Sequence, residues 1–135
     1  MKRLFLLLLC GNCLFAQTAK QFSIKADSLY KAKSYAAAGK CYRQSADMGW
    51  MKPLRKNGYY NAACSFALAN DPDRAFENLN LLVFNGYTDK ASIESDSDLE
   101  TLRNDKRWAK ITALMNKRVG ENPHNAKFVT SDIAN

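Results

Sequence analysis

Apolar and small residues recur at the three- and four-residue spacing of an amphipathic helix in four successive segments of the chain. The spacing predicts helices over residues 20–32, 35–48 and 54–69, and a fourth that begins at Pro72 and ends at Gly86. Their predicted inner faces are, in chain order, Phe22, Ala26, Leu29 and Tyr30; Ala38, Cys41, Tyr42 and Ser45; Tyr59, Ala62, Ala63 and Phe66; and Ala75, Leu79, Leu82 and Val83. We therefore expect an all-α fold.

The ends of these segments contain start and stop signals for helices. Ser34 and Asp71 can cap the second and fourth helices, and Pro72 suits a first helical position because its missing N–H is not needed there. Gly49 and Gly86 are expected to end the same two helices in the left-handed conformation.

The whole pattern occurs twice. A shift of the sequence by 37 positions places Ala26, Ser28, Ala32, Ala38 and Gly49 on Ala63, Ser65, Ala69, Ala75 and Gly86. Small residues are required where two helices of a pair touch, so the recurrence is typical of stacked helical repeats, each too small to bury its own core. Such arrays usually bind other molecules rather than catalyse reactions.

After Tyr87 the pattern changes, and no third copy of the repeat follows. The acidic, Ser-rich stretch 92–98 predicts a loop with weak helical turns, and Asp98 is placed to start a short helix. Asp105 is placed to start a last helix that caps the stack. Its expected inner face is Trp108, Ile111, Leu114 and Met115.

The amino terminus has the pattern of a secretory signal peptide. Lys2 and Arg3 precede an apolar run, and Ala16 offers a cleavage point before Gln17. Neither Cys10 nor Cys13 follows a small residue, which disfavours a lipid anchor; an uncleaved anchor is the other alternative. We predict a signal peptide over 1–16, a helical domain over 17–119, a flexible polar tail over 120–135, and a periplasmic or secreted protein without stable membrane insertion.

Charge and cysteine content exclude several classes of function. The net charge is +7, or +5 without Lys2 and Arg3, and the charges are interspersed, so we expect no nucleic-acid partner. Cys41 and Cys64 can either form a disulfide or pack as small apolar residues. The single histidine, His124, lies in the polar tail, and no glycine-rich phosphate loop or nucleophile with a base is present. We expect no metal, no cofactor and no enzymatic activity.

The two units resemble the tetratricopeptide repeat. In the second copy Tyr59, Ala62, Ala63, Phe66, Ala75, Leu79 and Leu82 stand at the spacing of that family's packing positions. The run from Tyr59 to Trp108, with Asn70-Asp71-Pro72 and Gly86-Tyr87, is similar to array-closing modules of exported Bacteroidetes proteins. The resemblance implies two helix-turn-helix repeats and a capping segment in a short right-handed α-solenoid, and it carries no catalytic residues.

The resemblance also implies a binding groove lined by the first helix of each pair. The side chains expected to face it are Asp27, Tyr30, Lys31, Asn57, Tyr60 and Cys64. Amide and ammonium groups suit a peptide backbone or carboxylate, and tyrosines supply contact area. The implied function is an adaptor for a protein or peptide partner. The alternative is a structural or self-associating module that supports a separately encoded envelope enzyme, with a homo-oligomer as its self-associated form.

Two other features have structural interpretations. Trp50 and Trp108 are expected in the core rather than stacked on a ligand. The acidic cluster of Glu94, Asp96, Asp98 and Glu100 lacks the glycine and terminal glutamate of a calcium loop, so helix capping in a solvated loop explains it better.

Overall fold

The computed structural model describes residues 18–121, which form helices and no strands. Helix α1 covers residues 18–31. It is followed by α2 (Tyr35–Met48), α3 (Lys52–Leu68), α4 (Pro72–Phe84), α5 (Lys90–Ser95), a 3₁₀ helix (Ser97–Leu102) and α6 (Lys106–Glu121). The all-α prediction is confirmed. The predicted signal peptide and residues 122–135 of the predicted tail lie outside the described residues. Within residues 18–121, no helix combines the length and apolarity that crossing a bilayer requires.

The turns that join α1 to α2 and α3 to α4 have the same backbone conformation. Lys33 and Asn70, which are 37 positions apart, have φ values of 58° and 57°. In each turn the following amide, of Ser34 or Asp71, donates to the carbonyl five residues earlier at 2.9 Å. This hydrogen bond closes a helix over a left-handed residue. The sequence repeat is therefore also a repeat of backbone structure.

The caps after these turns differ. Asp71 accepts a hydrogen bond from the Arg74 amide at 3.1 Å, which confirms it as a side-chain cap for α4. Ser34 occupies the corresponding position before α2, but its side chain makes no capping hydrogen bond.

The ends of α2 and α4 also differ. Gly86 has φ 86°, as predicted. Gly49 has φ −68° and ψ 118°, so the left-handed conformation predicted for it is wrong. Because the backbone leaves Gly49 extended and is still extended at Met51, the chain moves away from α2. Trp50 is consequently 67% exposed, and the prediction that it packs in the core is wrong.

Small residues bring the helices close together. A Cβ atom on Gly58 would lie 2.7 Å from Cβ of Ala46 and 3.0 Å from the Tyr42 carbonyl oxygen, so α2 and α3 touch through backbone. A Cβ atom on Gly39 would lie 2.9 Å from the ring of Phe66. The predicted inner faces of α3 and α4 are buried throughout, whereas Phe22, Leu29 and Tyr30 of α1 and Ser45 of α2 are only partly buried.

Helix α6 covers one side of the stack and runs parallel to α4. Arg107 pairs with Asp73 at 2.7 Å near the starts of the two helices, and the Arg118 guanidinium lies 6.0 Å from the centre of the Phe84 ring near their ends. Trp108, Ile111 and Met115 are buried as predicted. Leu114 is 36% exposed, so its predicted place on the inner face is wrong. The neighbouring Met115 is fully buried, and Leu114 lies one position away from it around the helix.

Candidate binding groove

A groove runs between α1 and α3, with side chains of α2 at its floor, and it contains two adjoining cavities. The α1–α3 cavity has a volume of about 480 Å³ and is lined by Ala19, Lys20, Ser23, Asp27, Tyr42, Ser45, Leu54, Asn57, Gly58 and Asn61. The tyrosine–aspartate cavity has a volume of about 260 Å³ and is lined by Tyr30, Tyr42, Tyr60, Asn61, Cys64, Asp96 and Asp98. Tyr42 and Asn61 line both.

Phenol–carboxylate hydrogen bonds build the wall of the tyrosine–aspartate cavity. The Tyr60 hydroxyl donates to Asp96 Oδ2 at 2.6 Å, and the Tyr30 hydroxyl donates to Asp98. At the boundary with the other cavity, the Tyr42 hydroxyl donates to Asp27 Oδ1 at 2.6 Å. These contacts join α1, α2, α3 and the 3₁₀ helix.

The local structure around Asp96 explains why the carboxylates reach the groove. Asp96 Oδ1 accepts the Asp98 amide at 2.9 Å, so this side chain caps the 3₁₀ helix and simultaneously binds Tyr60. The Arg103 guanidinium donates to the Asp96 carbonyl at 2.8 Å and ties the end of the 3₁₀ helix to its start. The prediction that the acidic run provides a helix cap is confirmed, although the capping residue is Asp96 rather than Asp98.

Electrostatics keep the groove phenols and thiol protonated. Burial raises the pKa of Tyr30, Tyr42 and Tyr60, and the carboxylate that each hydroxyl faces raises it further. Burial, followed by the charge of Asp96, raises the pKa of the Cys64 thiol far above its ordinary value. A protonated thiol is a poor nucleophile, so Cys64 is not activated for covalent catalysis.

Cys64, Asp96 and Asp98 lie close enough together to be considered as metal ligands. One potential ligand atom from each falls within 4.8 Å of the others. However, Asp96 already accepts hydrogen bonds from Tyr60, from a backbone amide and from the Cys64 thiol at 3.6 Å. The arrangement is accounted for as a hydrogen-bonded wall. Cys41 and Cys64 are both buried and are not joined in a disulfide.

The α1–α3 cavity has a different chemistry. The side-chain amides of Asn57 and Asn61 lie one helical turn apart on α3, and neither has a hydrogen-bond partner among residues 18–121. Lys20 and Asp27 supply one charge of each sign. Leu54, which is 43% exposed, adds an apolar surface. The cavity therefore presents unpaired donors and acceptors beside apolar area.

The structure distributes the six predicted groove residues over this surface. Tyr30, Tyr60 and Cys64 line the tyrosine–aspartate cavity, whereas Asp27 and Asn57 line the α1–α3 cavity. Lys31 is exposed in the last turn of α1 and lines neither cavity.

Sequence reasoning missed ten of the residues that line the two cavities, among them Tyr42, Asn61, Asp96 and Asp98. Asn61 could have been found, because it follows Asn57 by four positions on a predicted helix. The carboxylates could not, because the Tyr60–Asp96 contact spans 36 residues and the Tyr30–Asp98 contact spans 68. Only the tertiary fold brings them together.

Comparison of the chain with protein families, with curated proteins and with solved structures found no match.

Proposed function

We propose that this protein is an exported adaptor that binds an extended polypeptide in the α1–α3 cavity. The observation that carries the proposal is the pair of unpartnered amides of Asn57 and Asn61 in a cavity of about 480 Å³. An amide side chain offers both a donor and an acceptor, which matches the alternating N–H and C=O groups of a peptide backbone.

The surroundings of these amides support a polypeptide rather than a small charged metabolite. Lys20 and Asp27 have opposite charges, so the cavity has no strong preference for a ligand of one sign. Leu54 provides apolar contact area for a side chain of the ligand. The protonated Cys64 thiol supports a binding role over a catalytic one.

The repeat supports the choice of a tetratricopeptide-like scaffold. The two left-handed turns at Lys33 and Asn70 have matching geometry, and the 3₁₀ helix that follows the second repeat packs against α3 as a capping segment would. We infer export to the periplasm or beyond from the amino-terminal sequence pattern alone.

Affinity capture tests the proposal. The chain from Gln17 onward is used as bait in an envelope extract of the source organism, together with an Asn57→Ala/Asn61→Ala variant. A Lys40→Ala/Gln44→Ala variant is the matched control, because these exposed residues lie on α2 facing α4. We expect one dominant partner that is retained by the control and lost from the asparagine variant.

Equal capture by the asparagine variant would refute the groove assignment. Tyr30 and Tyr60 are less suitable for this test, because they bind Asp98 and Asp96 in the groove wall and their loss would also lower stability. Lys31→Ala tests the remaining predicted residue, which is exposed. A stable homodimer in light scattering, with no captured partner, would instead favour the self-associating module.

A further inference from the structure

One end of the helical stack contains five helix ends. The Ser45 hydroxyl donates to the Ala19 carbonyl at 2.8 Å, which places the start of α1 beside the end of α2. The short connection through Trp50 places the start of α3 beside the end of α2. Because α3 and α4 form a hairpin, the end of α4 lies at the same end of the stack. The Arg118–Phe84 contact adds the end of α6. We call this surface the Trp50 end.

The Trp50 end displays large apolar side chains to solvent. Phe84 is 74% exposed and Trp50 is 67% exposed, the two highest values for a large apolar side chain in the part of the chain that the structure describes. Met51 and Leu54 beside Trp50 are 41% and 43% exposed. Four of the large apolar side chains exposed in the described part of the chain therefore lie at this end.

The same end is positively charged. From residue 48 to residue 70 the sequence has no acidic side chain, but it has Lys52, Arg55 and Lys56 in the first turns of α3. Lys20 in α1, and Lys117 and Arg118 in α6, lie at the same end.

The nearby carboxylates already have partners. Asp47 pairs with Arg43 at 2.9 Å and accepts the Tyr59 hydroxyl at 2.8 Å. Asp89 accepts hydrogen bonds from the amide and hydroxyl of Ser92. The hydrogen bonds from Ser92 leave the charge of Asp89 in place, but Lys20, Lys52, Arg55, Lys56 and Arg118 outnumber Asp47 and Asp89, so these side chains give the Trp50 end a net positive charge.

We propose that the Trp50 end rests on the surface of an anionic lipid bilayer. A tryptophan ring with an apolar body and a polar N–H is suited to the headgroup boundary, and lysines there attract anionic headgroups. Trp50 lies in a loop and Phe84 lies in the last turn of α4, so they protrude from separate elements instead of lining one groove. A bilayer contacts such separated points together.

The path of the chain agrees with this orientation. In the uncleaved-anchor alternative, the apolar sequence of residues 4–15 would join the described structure at the start of α1, and therefore at the Trp50 end. The α1–α3 cavity shares Lys20 and Leu54 with the Trp50 end, so membrane contact would cover one end of this cavity. The proposal does not depend on the proposed adaptor function.

Tryptophan fluorescence tests the proposal, because the chain has two tryptophans and they lie at opposite ends. The full chain is prepared as Trp108→Phe, which keeps Trp50, and as Trp50→Phe, which keeps Trp108. Each is mixed with phosphatidylcholine vesicles that contain or lack phosphatidylglycerol and that carry brominated acyl chains. We expect a blue shift and strong quenching of Trp50 with anionic vesicles, and neither change for Trp108.

Charge variants separate the Trp50 end from the amino-terminal segment as the source of binding. Lys52→Gln/Lys56→Gln is expected to weaken partitioning into anionic vesicles about tenfold or more, because each lysine near such a surface contributes about a fivefold factor. Lys106→Gln/Lys110→Gln is the matched control: these lysines occupy the same helical positions at the opposite end and should have no effect.

Several results would overturn the proposal. These are the absence of Trp50 quenching, equal quenching of Trp108, equal binding to neutral vesicles, or equal loss in both lysine variants. A Trp50 that stays unquenched while the chain is vesicle-bound would assign the membrane contact to residues outside the Trp50 end. Thermal unfolding in the absence of lipid checks that the Trp108→Phe variant is folded.

Discussion

The two cavities of the groove share Tyr42 and Asn61, and each contains a phenol bound to a carboxylate, but only the α1–α3 cavity is lined by both Asn57 and Asn61. In the tyrosine–aspartate cavity each phenol donates to a carboxylate. Asp96 accepts hydrogen bonds from the Tyr60 hydroxyl, from the Cys64 thiol and from the Asp98 amide at the start of the 3₁₀ helix. In the α1–α3 cavity the amides of Asn57 and Asn61 have no partner among the described residues. The comparison teaches that satisfied polar groups hold this fold together, whereas unsatisfied ones are free to bind a ligand.

Energetics support this division. Hydrogen bonds between a neutral hydroxyl and a carboxylate are short and stronger than those between two neutral groups. Removing one member leaves the other unsatisfied, which costs about 1–3 kcal/mol at a buried site. Exposed amides have water as an alternative partner, so their removal leaves folding nearly unchanged.

The largest expected effect is that of Asp96→Ala. The substitution removes the cap of the 3₁₀ helix and leaves the Tyr60 hydroxyl without its acceptor, so we expect a loss of about 3 kcal/mol in the free energy of unfolding. Urea unfolding followed by circular dichroism measures it. Glu100→Ala, an exposed acidic residue of the same 3₁₀ helix, should change stability by less than about 0.5 kcal/mol. Equal effects would show that the network has no special role.

Gly58→Ala tests packing in the α1–α3 cavity, because Gly58 lines this cavity and not the tyrosine–aspartate cavity. The added methyl group would lie 2.7 Å from Cβ of Ala46, so α2 and α3 must separate. Overpacking of about 1–3 kcal/mol outweighs the helix propensity of about 1 kcal/mol that alanine gains over glycine. The difference between these two effects is a net destabilisation of up to about 2 kcal/mol, which urea unfolding measures. Gly120→Ala is the control, because nothing lies within 4 Å of its added Cβ atom, and it should be neutral or stabilising.

Tyr60→Phe removes a single hydroxyl from the tyrosine–aspartate cavity. We expect a loss of about 1–1.5 kcal/mol, since Asp96 keeps its other donors while losing this one. Tyr35→Phe is the matched control: the Tyr35 ring packs against Tyr30, but its hydroxyl has no partner in the described part of the chain. A Tyr35 effect as large as that of Tyr60 would assign the loss to ring packing.

The groove tyrosines also predict an alkaline limit to stability. The pKa values of Tyr30, Tyr42 and Tyr60 are raised in the folded state by burial and by their carboxylate partners. The contribution of these tyrosines to the free energy of unfolding is complete below the pKa of about 10 that a tyrosine has in the unfolded chain. It is lost as the pH rises from there toward the pKa values of the folded state. We expect a constant contribution between pH 7 and pH 9 and a decline above about pH 10. Replacing all three by phenylalanine should flatten that decline, and an unchanged slope would contradict the assignment.

The smallest effect on stability is expected in the α1–α3 cavity. Asn57→Ala/Asn61→Ala should change the free energy of unfolding by less than about 0.5 kcal/mol, because these amides lack partners in the fold. A loss above about 1.5 kcal/mol would mean that they are structural, and would remove the basis for the division between the two cavities.

Local chemistry determined which parts of the fold were predictable. Helical periodicity located the four main helices, and the 37-residue shift located two matching turns at Lys33 and Asn70. It could not distinguish Gly86, which is left-handed, from Gly49, which is extended. Both are glycines after a helix, and the difference depends on how the next helix docks. The exposure of Trp50 follows from that difference.

The groove was predictable only in part for the same reason. The resemblance to the tetratricopeptide repeat implied that the first helix of each pair lines the groove, which named residues such as Asn57 and Tyr60. The partner of Tyr60 could not be predicted, because the carboxylate of Asp96 is 36 residues away in sequence and reaches Tyr60 only in the folded chain.

Site-specific photo-crosslinking in the source organism tests the central claim most directly. A photoreactive amino acid is placed at position 57 in the α1–α3 cavity and, as a control, at position 44 on the α2 surface that faces α4. A polypeptide bound in the groove predicts one dominant adduct from position 57 that is absent from position 44. No adduct from position 57, or the same adducts from both positions, would contradict the assignment of the α1–α3 cavity as the binding site.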